Sequence, residues 1–177
     1  MKLTWFGGTT LRIYSGGKIV VLDPAGAPAG IDAAELVAGA DMVVGDFGAG
    51  LPAIDTANWK VPKPARPLDE DGDVPVVRCW SAGRDAVLVE ALGEPVLLLV
   101  RGAVPDLGRW ADGAVVTLFG DGAGLGAAGM AVLAQRAPRL LALAGDEAAV
   151  DMAIPILREG LEGSSLVALE AGLALEI

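Results

Sequence analysis

Hydrophobic residues alternate with other residues along the first 24 positions, which is the period of β-strands. The alternating residues are Leu3, Trp5, Leu11, Ile13, Ile19 and Val21. Between them, Ser15-Gly16-Gly17 is a flexible turn sequence. We therefore predict a β-hairpin that joins residues 9–14 to residues 18–23.

A short helix and a further strand follow this hairpin. Asp32 and Glu35 have the spacing of a capping box, and Gly39 is a typical stop signal, so a helix is predicted over residues 31–38. Residues 41–44 are predicted to form a short buried strand. Four prolines and an acidic tip at residues 69–73 then indicate that residues 45–73 are mostly loop.

The second half of the chain alternates between strands and helices. The predicted strands are residues 74–80, 85–91, 95–100, 114–119 and 139–144. The predicted helices are residues 125–137, ended by Pro138, and residues 146–159, bent or shortened by Pro155. A last hairpin is predicted between residues 166–169 and 173–177.

Strands in both halves with helices between them favour an α/β (α+β) fold in which a sandwich of sheets is covered by helices. We expect one domain over residues 1–177. The alternative is a doubly wound α/β domain over residues 95–160, in which the first ninety residues are a β-rich extension.

Composition excludes several classes of function. The 177 residues are 53% hydrophobic and 20% charged, which is typical of a globular protein and not of a disordered one. The chain has no histidine and one cysteine, Cys79, so histidine-dependent catalysis, histidine-ligated zinc, disulfides within the chain and multi-cysteine metal sites are excluded.

The charge of the chain and the lack of targeting signals bear on location and partners. A net charge of −10 opposes binding to nucleic acid or to an anionic membrane. No signal peptide or spanning segment is recognised, so we expect a cytoplasmic protein. The low content of charged residues suggests that apolar surface is covered in a homo-oligomer. A protein partner or a small-molecule ligand is left open.

Residues 120–129 are rich in glycine, and Gly124, Gly126 and Gly129 fit the pattern G-x-G-x-x-G after a predicted strand. In dinucleotide-binding proteins such glycines let the backbone approach a pyrophosphate at a helix N-terminus. Gly122, Gly124 and Gly126 are therefore candidate nucleotide-binding residues. A tight turn with close helix packing explains the same glycines without a ligand.

Asp23 ends one predicted strand, and Asp46 follows another. Two carboxylates at strand ends on one edge of a sheet can perform acid–base chemistry if they lie close together. They can also cap loop amides, which is a structural role. Cys79 lies within a predicted strand, where burial as a small apolar residue is the simplest expectation.

Three stretches resemble the opening of metallo-β-lactamase-fold hydrolases, most closely the branch that includes the ascorbate-phosphate lactonase-like proteins. They are Trp5-Phe-Gly-Gly-Thr-Thr-Leu, Gly16-Gly17-Lys18-Ile19-Val20-Val21-Leu22-Asp23-Pro24 and Ala40-Asp41-Met42-Val43-Val44. The resemblance implies a four-layer αββα sandwich, here shortened.

The resemblance also implies a two-metal site, but this sequence departs from the family at the ligand positions. Gly8 stands where the family has its early histidine, and Gly145 lies near the last one. Gly102-Ala103 corresponds to the Gly-Asp pair that supplies the bridging aspartate. The family's central His, His, Asp and His correspond to Phe47, Ala49, Leu51 and Pro52.

Three functional hypotheses follow. The first is a degenerate member of the superfamily that has no metal site and no cofactor, and that acts as a non-catalytic binding or oligomerisation module. The second is a divergent hydrolase that uses Asp23 or Asp46, with a weakly held divalent ion or without metal. The third is a nucleotide binder that uses residues 120–129.

Overall fold

The computed structural model describes residues 1–62 and 77–177, and these form eleven strands and three α-helices. The strands are β1 (Lys2–Gly7), β2 (Thr10–Ser15), β3 (Lys18–Leu22), β4 (Met42–Val44), β5 (Val77–Ser81), β6 (Ala86–Ala91), β7 (Leu97–Val100), β8 (Val115–Phe119), β9 (Leu140–Ala144), β10 (Ser165–Ala168) and β11 (Ala174–Glu176). The helices are α1 (Ala33–Val37), α2 (Gly122–Leu133) and α3 (Glu147–Arg158).

The first sheet has the order β11-β1-β2-β3-β4. The predicted hairpin is confirmed as β2 and β3, which pair antiparallel from Leu11 opposite Leu22 to Ser15 opposite Lys18. Its two-residue turn is Gly16-Gly17, and both residues have positive φ, 55° and 78°. This is the backbone that a type I′ hairpin turn requires. β4 pairs parallel with β3.

The second sheet has the order β10-β9-β8-β7-β6-β5. Strands β7, β8, β9 and β10 run parallel, whereas β5 and β6 are antiparallel to their neighbours. All five residues of β8 are buried. A continuous apolar run is expected for a strand that is covered on both faces.

The inner faces of the two sheets pack against each other and form the main hydrophobic core. Leu3, Ile13 and Leu22 of the first sheet belong to one cluster with Val87 and Leu99 of the second. Because side chains alternate along a strand, the next residues of the second sheet point outward. A second cluster on that side joins residues such as Leu88, Leu98, Val116 and Leu118 to Leu125 and Val132 of α2 and to Ala153 and Leu157 of α3.

The fourth layer is the short helix α1. Arg12 lies on the outer face of β2, between the inward residues Leu11 and Ile13, and its Nη2 donates to the Ala38 carbonyl at 3.3 Å. The helix therefore covers part of the outer face of the first sheet. The expected αββα sandwich is confirmed, and the doubly wound alternative is wrong because residues 1–91 supply most of the core between the two sheets.

The predicted C-terminal hairpin is wrong. β10 pairs parallel with β9 in the second sheet, and β11 pairs antiparallel with β1 in the first. Leu169, in the connection between the two strands, is buried in the core between the sheets. Each strand pairs with the edge of a different sheet, which satisfies backbone groups that a separate hairpin would leave unpaired.

Several details of these elements differ from the prediction; α2, for example, ends at Leu133 and not at residue 137. α2 begins at Gly122, one turn earlier than expected, because the Asp121 side chain caps it by accepting from Gly124 N at 2.7 Å. α3 runs through Pro155 without being shortened. In β4, Val43 is half-exposed because the strand lies at the edge of its sheet.

The other predictions concern the long loop and membrane insertion. Residues 45–62 contain a turn at Asp46–Gly48 and an isolated bridge between Ala53 and Ser81, as expected for a loop. The acidic tip at residues 69–73 and the first residues of the strand predicted at 74–80 lie outside the described residues. Within the described part of the chain, no helix has the length and apolar character needed to cross a bilayer.

Candidate functional site

Loops from both sheets meet at one edge of the sandwich. Parallel strands have their carboxyl ends on the same side, so the residues that follow β7, β8 and β9 lie together. These residues are Arg101, Gly120 and Gly145, and all three line one cleft with Gly8, from the connection between β1 and β2. The edge therefore brings together residues that are up to 137 positions apart in sequence.

The cleft at this edge, which we call the main cleft, has a volume of about 500 Å³. Its apolar lining includes Trp5, Pro28 and Phe119, and its polar lining is Thr9, Arg101 and Asp146. Two further clefts adjoin it, one of about 460 Å³ beside α2 and one of about 390 Å³ along the turn after β4. Arg101 lines all three.

Arg101 is held by loose ionic contacts and by an aromatic ring. Its Nε lies 3.6 Å from Asp85 Oδ1, and its Nη2 lies 4.0 Å from Asp46 Oδ1. Its guanidinium carbon lies 4.7 Å from the centre of the Phe47 ring, a cation–π distance. The side chain is 30% exposed. The cation is therefore fixed at the junction of the three clefts and only partly hydrated.

Phe47 fills the space beneath this arginine. Its side chain is 2% exposed and packs edge-on against Phe119, with ring centroids 5.7 Å apart. The backbone is left-handed at φ 47° and ψ 44°, a conformation that is strained for a bulky residue. Leu51 packs against the same core, whereas Ala49 and Pro52 are exposed. The segment that corresponds to the central ligand motif of metallo-β-lactamase-fold hydrolases thus contributes a buried aromatic ring.

Asp23 is tied into the structure around it. The side chain is 7% exposed, and its carboxylate accepts a hydrogen bond from Thr9 Oγ1. Its carbonyl accepts from Thr10 Oγ1 at 2.7 Å, and its amide donates to the Val44 carbonyl at 2.7 Å. These bonds join the β1–β2 connection to the ends of β3 and β4, which is a structural role.

Asp46 has a different environment. Its side chain is 83% exposed, and its contact with Arg101 is an ion pair at 4.0 Å. The contacts of the two candidate aspartates thus differ, since Asp23 is bonded to Thr9 and Asp46 faces Arg101. Among residues 1–62 and 77–177, no group of three histidine, cysteine or acidic side chains could hold a metal ion.

The two glycines aligned with histidines of the family line the main cleft, and the backbone leaves no room for a side chain at either. A Cβ on Gly8, which has φ 54°, would collide with the Gly26 carbonyl oxygen. A Cβ on Gly145 would lie 2.9 Å from both the Gly120 carbonyl oxygen and Leu125 Cδ1. Gly102 and Ala103 line the adjoining cleft beside α2.

The glycines predicted to form a nucleotide-binding loop lie inside α2 and not in a loop before it. A Cβ on Gly122 would lie 2.8 Å from Met152 Cβ, and one on Gly126 would lie 2.9 Å from Ile156 Cδ1. Gly124 faces the cleft beside α2, but its amide is already bonded to the Asp121 cap. Close packing of α2 on α3 accounts for Gly122 and Gly126. Nucleotide binding by residues 120–129 stays a prediction.

Cys79 lies on the inner face of β5, in the core between the sheets. Burial raises the pKa of its thiol to about 12. A thiol that stays neutral at physiological pH is a weak nucleophile. The expected buried cysteine is confirmed.

Sequence reasoning missed Arg101 and Phe119, which line the main cleft together. The available signal was the position of Arg101 directly after the apolar run of β7, where it is the first charged residue beyond a buried strand. That position predicts a strand end, but it does not show which other loops meet there.

No protein-family profile matches this chain, and no curated protein matches it. Among solved structures, the chain is similar to Igni18, a novel metallo hydrolase from the hyperthermophilic archaeon Ignicoccus hospitalis. The similarity covers 99% of this chain and 98% of that chain, with 12% sequence identity and a TM-score of 0.49. At such a low identity, family and activity have to be argued from the residues of this chain.

Proposed function

We propose that the protein is a non-catalytic relative of the metallo-β-lactamase-fold hydrolases that acts as a binding module. One observation carries the proposal. Of the positions that align with metal ligands, Gly8 and Gly145 present glycine backbone and Phe47 a buried ring at one edge of the sandwich, beside the guanidinium of Arg101.

The convergence of these positions supports the resemblance. Gly8 and Gly145 line the same cleft although they are far apart in the sequence. Phe47 contacts Arg101, which directly precedes Gly102. Residues that share one metal centre must lie this close together.

The side chains present do not fit the metal centre that the family implies. Zinc is bound by cysteine, histidine and carboxylate groups, and magnesium and calcium by several oxygen ligands. Phe47 and the glycines have no donor atom in their side chains. Arg101 adds a positive charge at the same edge, and this charge repels a divalent cation.

A divergent hydrolase is the second hypothesis, and the contacts of the aspartates give it little support. The Asp23 carboxylate accepts a hydrogen bond from Thr9, and the Asp46 carboxylate forms an ion pair with Arg101. Two carboxylates hold Mg²⁺ or Ca²⁺ weakly unless further oxygen ligands join them. Stoichiometric metal in the purified protein would favour this second hypothesis.

The test is elemental analysis of the natively purified protein, combined with thermal unfolding in the presence of Zn²⁺, Mn²⁺, Mg²⁺ or EDTA. We expect no stoichiometric metal and no change in Tm. A metal present at 100 times its Kd would add about 2.7 kcal/mol of stability, which would raise Tm by roughly 5–10 °C.

One or two metal ions per chain, together with a Tm that falls in EDTA, would contradict the proposal. In that case the Asp46→Asn variant separates the two remaining explanations. A metal held by Asp46 is lost in this variant, and a metal held elsewhere is retained. The exposed side chain makes this substitution safe for folding, and asparagine tolerates the left-handed backbone at φ 41°.

A further inference from the structure

The guanidinium of Arg101 makes no hydrogen bond to any residue in 1–62 or 77–177. Its two ion pairs, at 3.6 and 4.0 Å, are longer than hydrogen bonds to nitrogen. An arginine has five N–H donors, and leaving donors unsatisfied in a partly buried place costs free energy. The acceptor that these donors lack has to come from water or from a ligand in the clefts that the side chain lines.

The main cleft has the size and the lining of a small-molecule site. Ligand pockets of this kind measure roughly 300–1,000 Å³ and combine apolar walls with a few polar groups. Here the walls include Trp5 and Phe119, both buried, and Pro28. The Thr9 hydroxyl already donates its hydrogen bond to Asp23. Arg101 is therefore the cleft-lining side chain that can donate hydrogen bonds to a polar group of a ligand.

The charges around the cleft limit the charge of its ligand. Asp46 and Asp85 lie near the guanidinium, and Asp146 lines the cleft. The Asp146 carboxylate accepts from Ala149 N at 2.8 Å and so caps α3. Two carboxylates beside the arginine and a third in the cleft wall repel a dianion more strongly than a ligand with a single negative charge.

We propose that the main cleft binds a small organic monocarboxylate, with the carboxylate on Arg101 and the apolar body against Trp5, Pro28 and Phe119. Arginine binds carboxylates through two parallel N–H···O bonds, which orients the ligand. This inference rests on the proposed function, because a metal at the same edge would compete for the carboxylate.

The test is titration of the full chain with benzoate, followed by two-dimensional amide NMR. We expect saturable shifts at the amides of Gly8, Gly120 and Gly145, which line the cleft. Benzamide has the same shape without the charge, acetate has the charge without the body, and inorganic phosphate has a higher charge. Each of these should bind about tenfold more weakly than benzoate or not at all.

Four variants, one of them a control, show whether Arg101 holds the carboxylate. Arg101→Gln removes the charge and should weaken benzoate binding about tenfold or more, and Arg101→Lys keeps the charge but should also weaken it because lysine cannot bind bidentately. Asp46→Asn should strengthen binding, since it removes a competing carboxylate and leaves the fold intact. Arg109→Gln, an exposed arginine outside the cleft, should change nothing.

Several results would overturn the inference. They are the absence of saturable shifts with benzoate, an equal response to benzamide or phosphate, shifts located away from the cleft, and unchanged affinity in Arg101→Gln. A protein without metal that fails to bind benzoate refutes this inference and leaves the proposed function intact. A protein with stoichiometric metal refutes the proposed function, whatever the benzoate result.

Discussion

Replacing Gly129 by alanine tests whether the glycines of α2 serve helix packing. A Cβ at this position would collide with Cδ2 of Leu157 and lie 3.0 Å from its Cδ1. Leu157 is fully buried, so it cannot move aside without disturbing the core. Gly126→Ala is the matched control, because the atom that it meets, Ile156 Cδ1 at 2.9 Å, is the tip of a side chain that is 47% exposed.

The expected magnitudes follow from two opposing effects. Alanine is better than glycine in a helix interior by about 1 kcal/mol, and this gain is the same at both positions. Overpacking a core costs about 1–3 kcal/mol, and this cost applies only at Gly129. Gly126→Ala should therefore be neutral or stabilise by up to about 1 kcal/mol. Gly129→Ala should lie about 2 kcal/mol below it.

Urea-induced unfolding measures this difference directly, and thermal unfolding should show it as a gap of roughly 4–8 °C in Tm. If Gly129→Ala is as stable as Gly126→Ala, then close packing does not explain the glycines of α2. The nucleotide hypothesis for residues 120–129 would gain weight from that result.

Three further predictions concern other parts of the chain. Asp23→Ala should lower the free energy of unfolding by about 2 kcal/mol because it breaks a partly buried hydrogen bond and leaves the Thr9 hydroxyl unpaired. Asp46→Ala, which is also at positive φ, should cost less than about 1 kcal/mol. Equal losses in urea unfolding would contradict the roles assigned to the two carboxylates. Cys79 should resist Ellman's reagent at pH 8 until the chain unfolds, and rapid labelling of the native protein would show that the thiol is not buried. Because folding raises the pKa of this thiol, the free energy of unfolding should decline as the pH rises above 9.0, the ordinary pKa of a cysteine thiol. We expect light scattering to give the mass of a homo-oligomer, and a wild-type protein with the mass of one chain would contradict this expectation. Met152→Glu places a charge among the exposed apolar side chains of α2 and α3 and should shift the oligomer towards monomers.

Much of the local structure could be predicted because it depends on neighbours in the sequence. The alternation of residues 9–23 and the Gly16-Gly17 turn define the hairpin. The fully apolar run of β8 identifies a strand covered on both faces. The start of α2 was missed by one turn because Asp121, which caps the helix, lies among glycines that disfavour a helix interior.

The candidate site could be predicted only in part. The resemblance to metallo-β-lactamase-fold hydrolases predicted that Gly8 and Phe47 stand at ligand positions and that Gly145 lies near one. It did not identify Arg101, which has no motif of its own and depends on contacts with Phe47 and Asp85. Asp23 and Asp46 were paired as candidates from similar positions after strands, and their contacts separate them.

The sequence by itself determined the strand and helix periods and the lack of histidine. These properties depend on composition and on residues close together along the chain. The tertiary structure decided which strands the C-terminal segments pair with, that Phe47 is buried between the sheets, and that Arg101 lies at the junction of three clefts. Pairing and burial are settled by long-range contacts between elements, since each strand edge and each apolar face is covered by whichever partner the whole chain supplies.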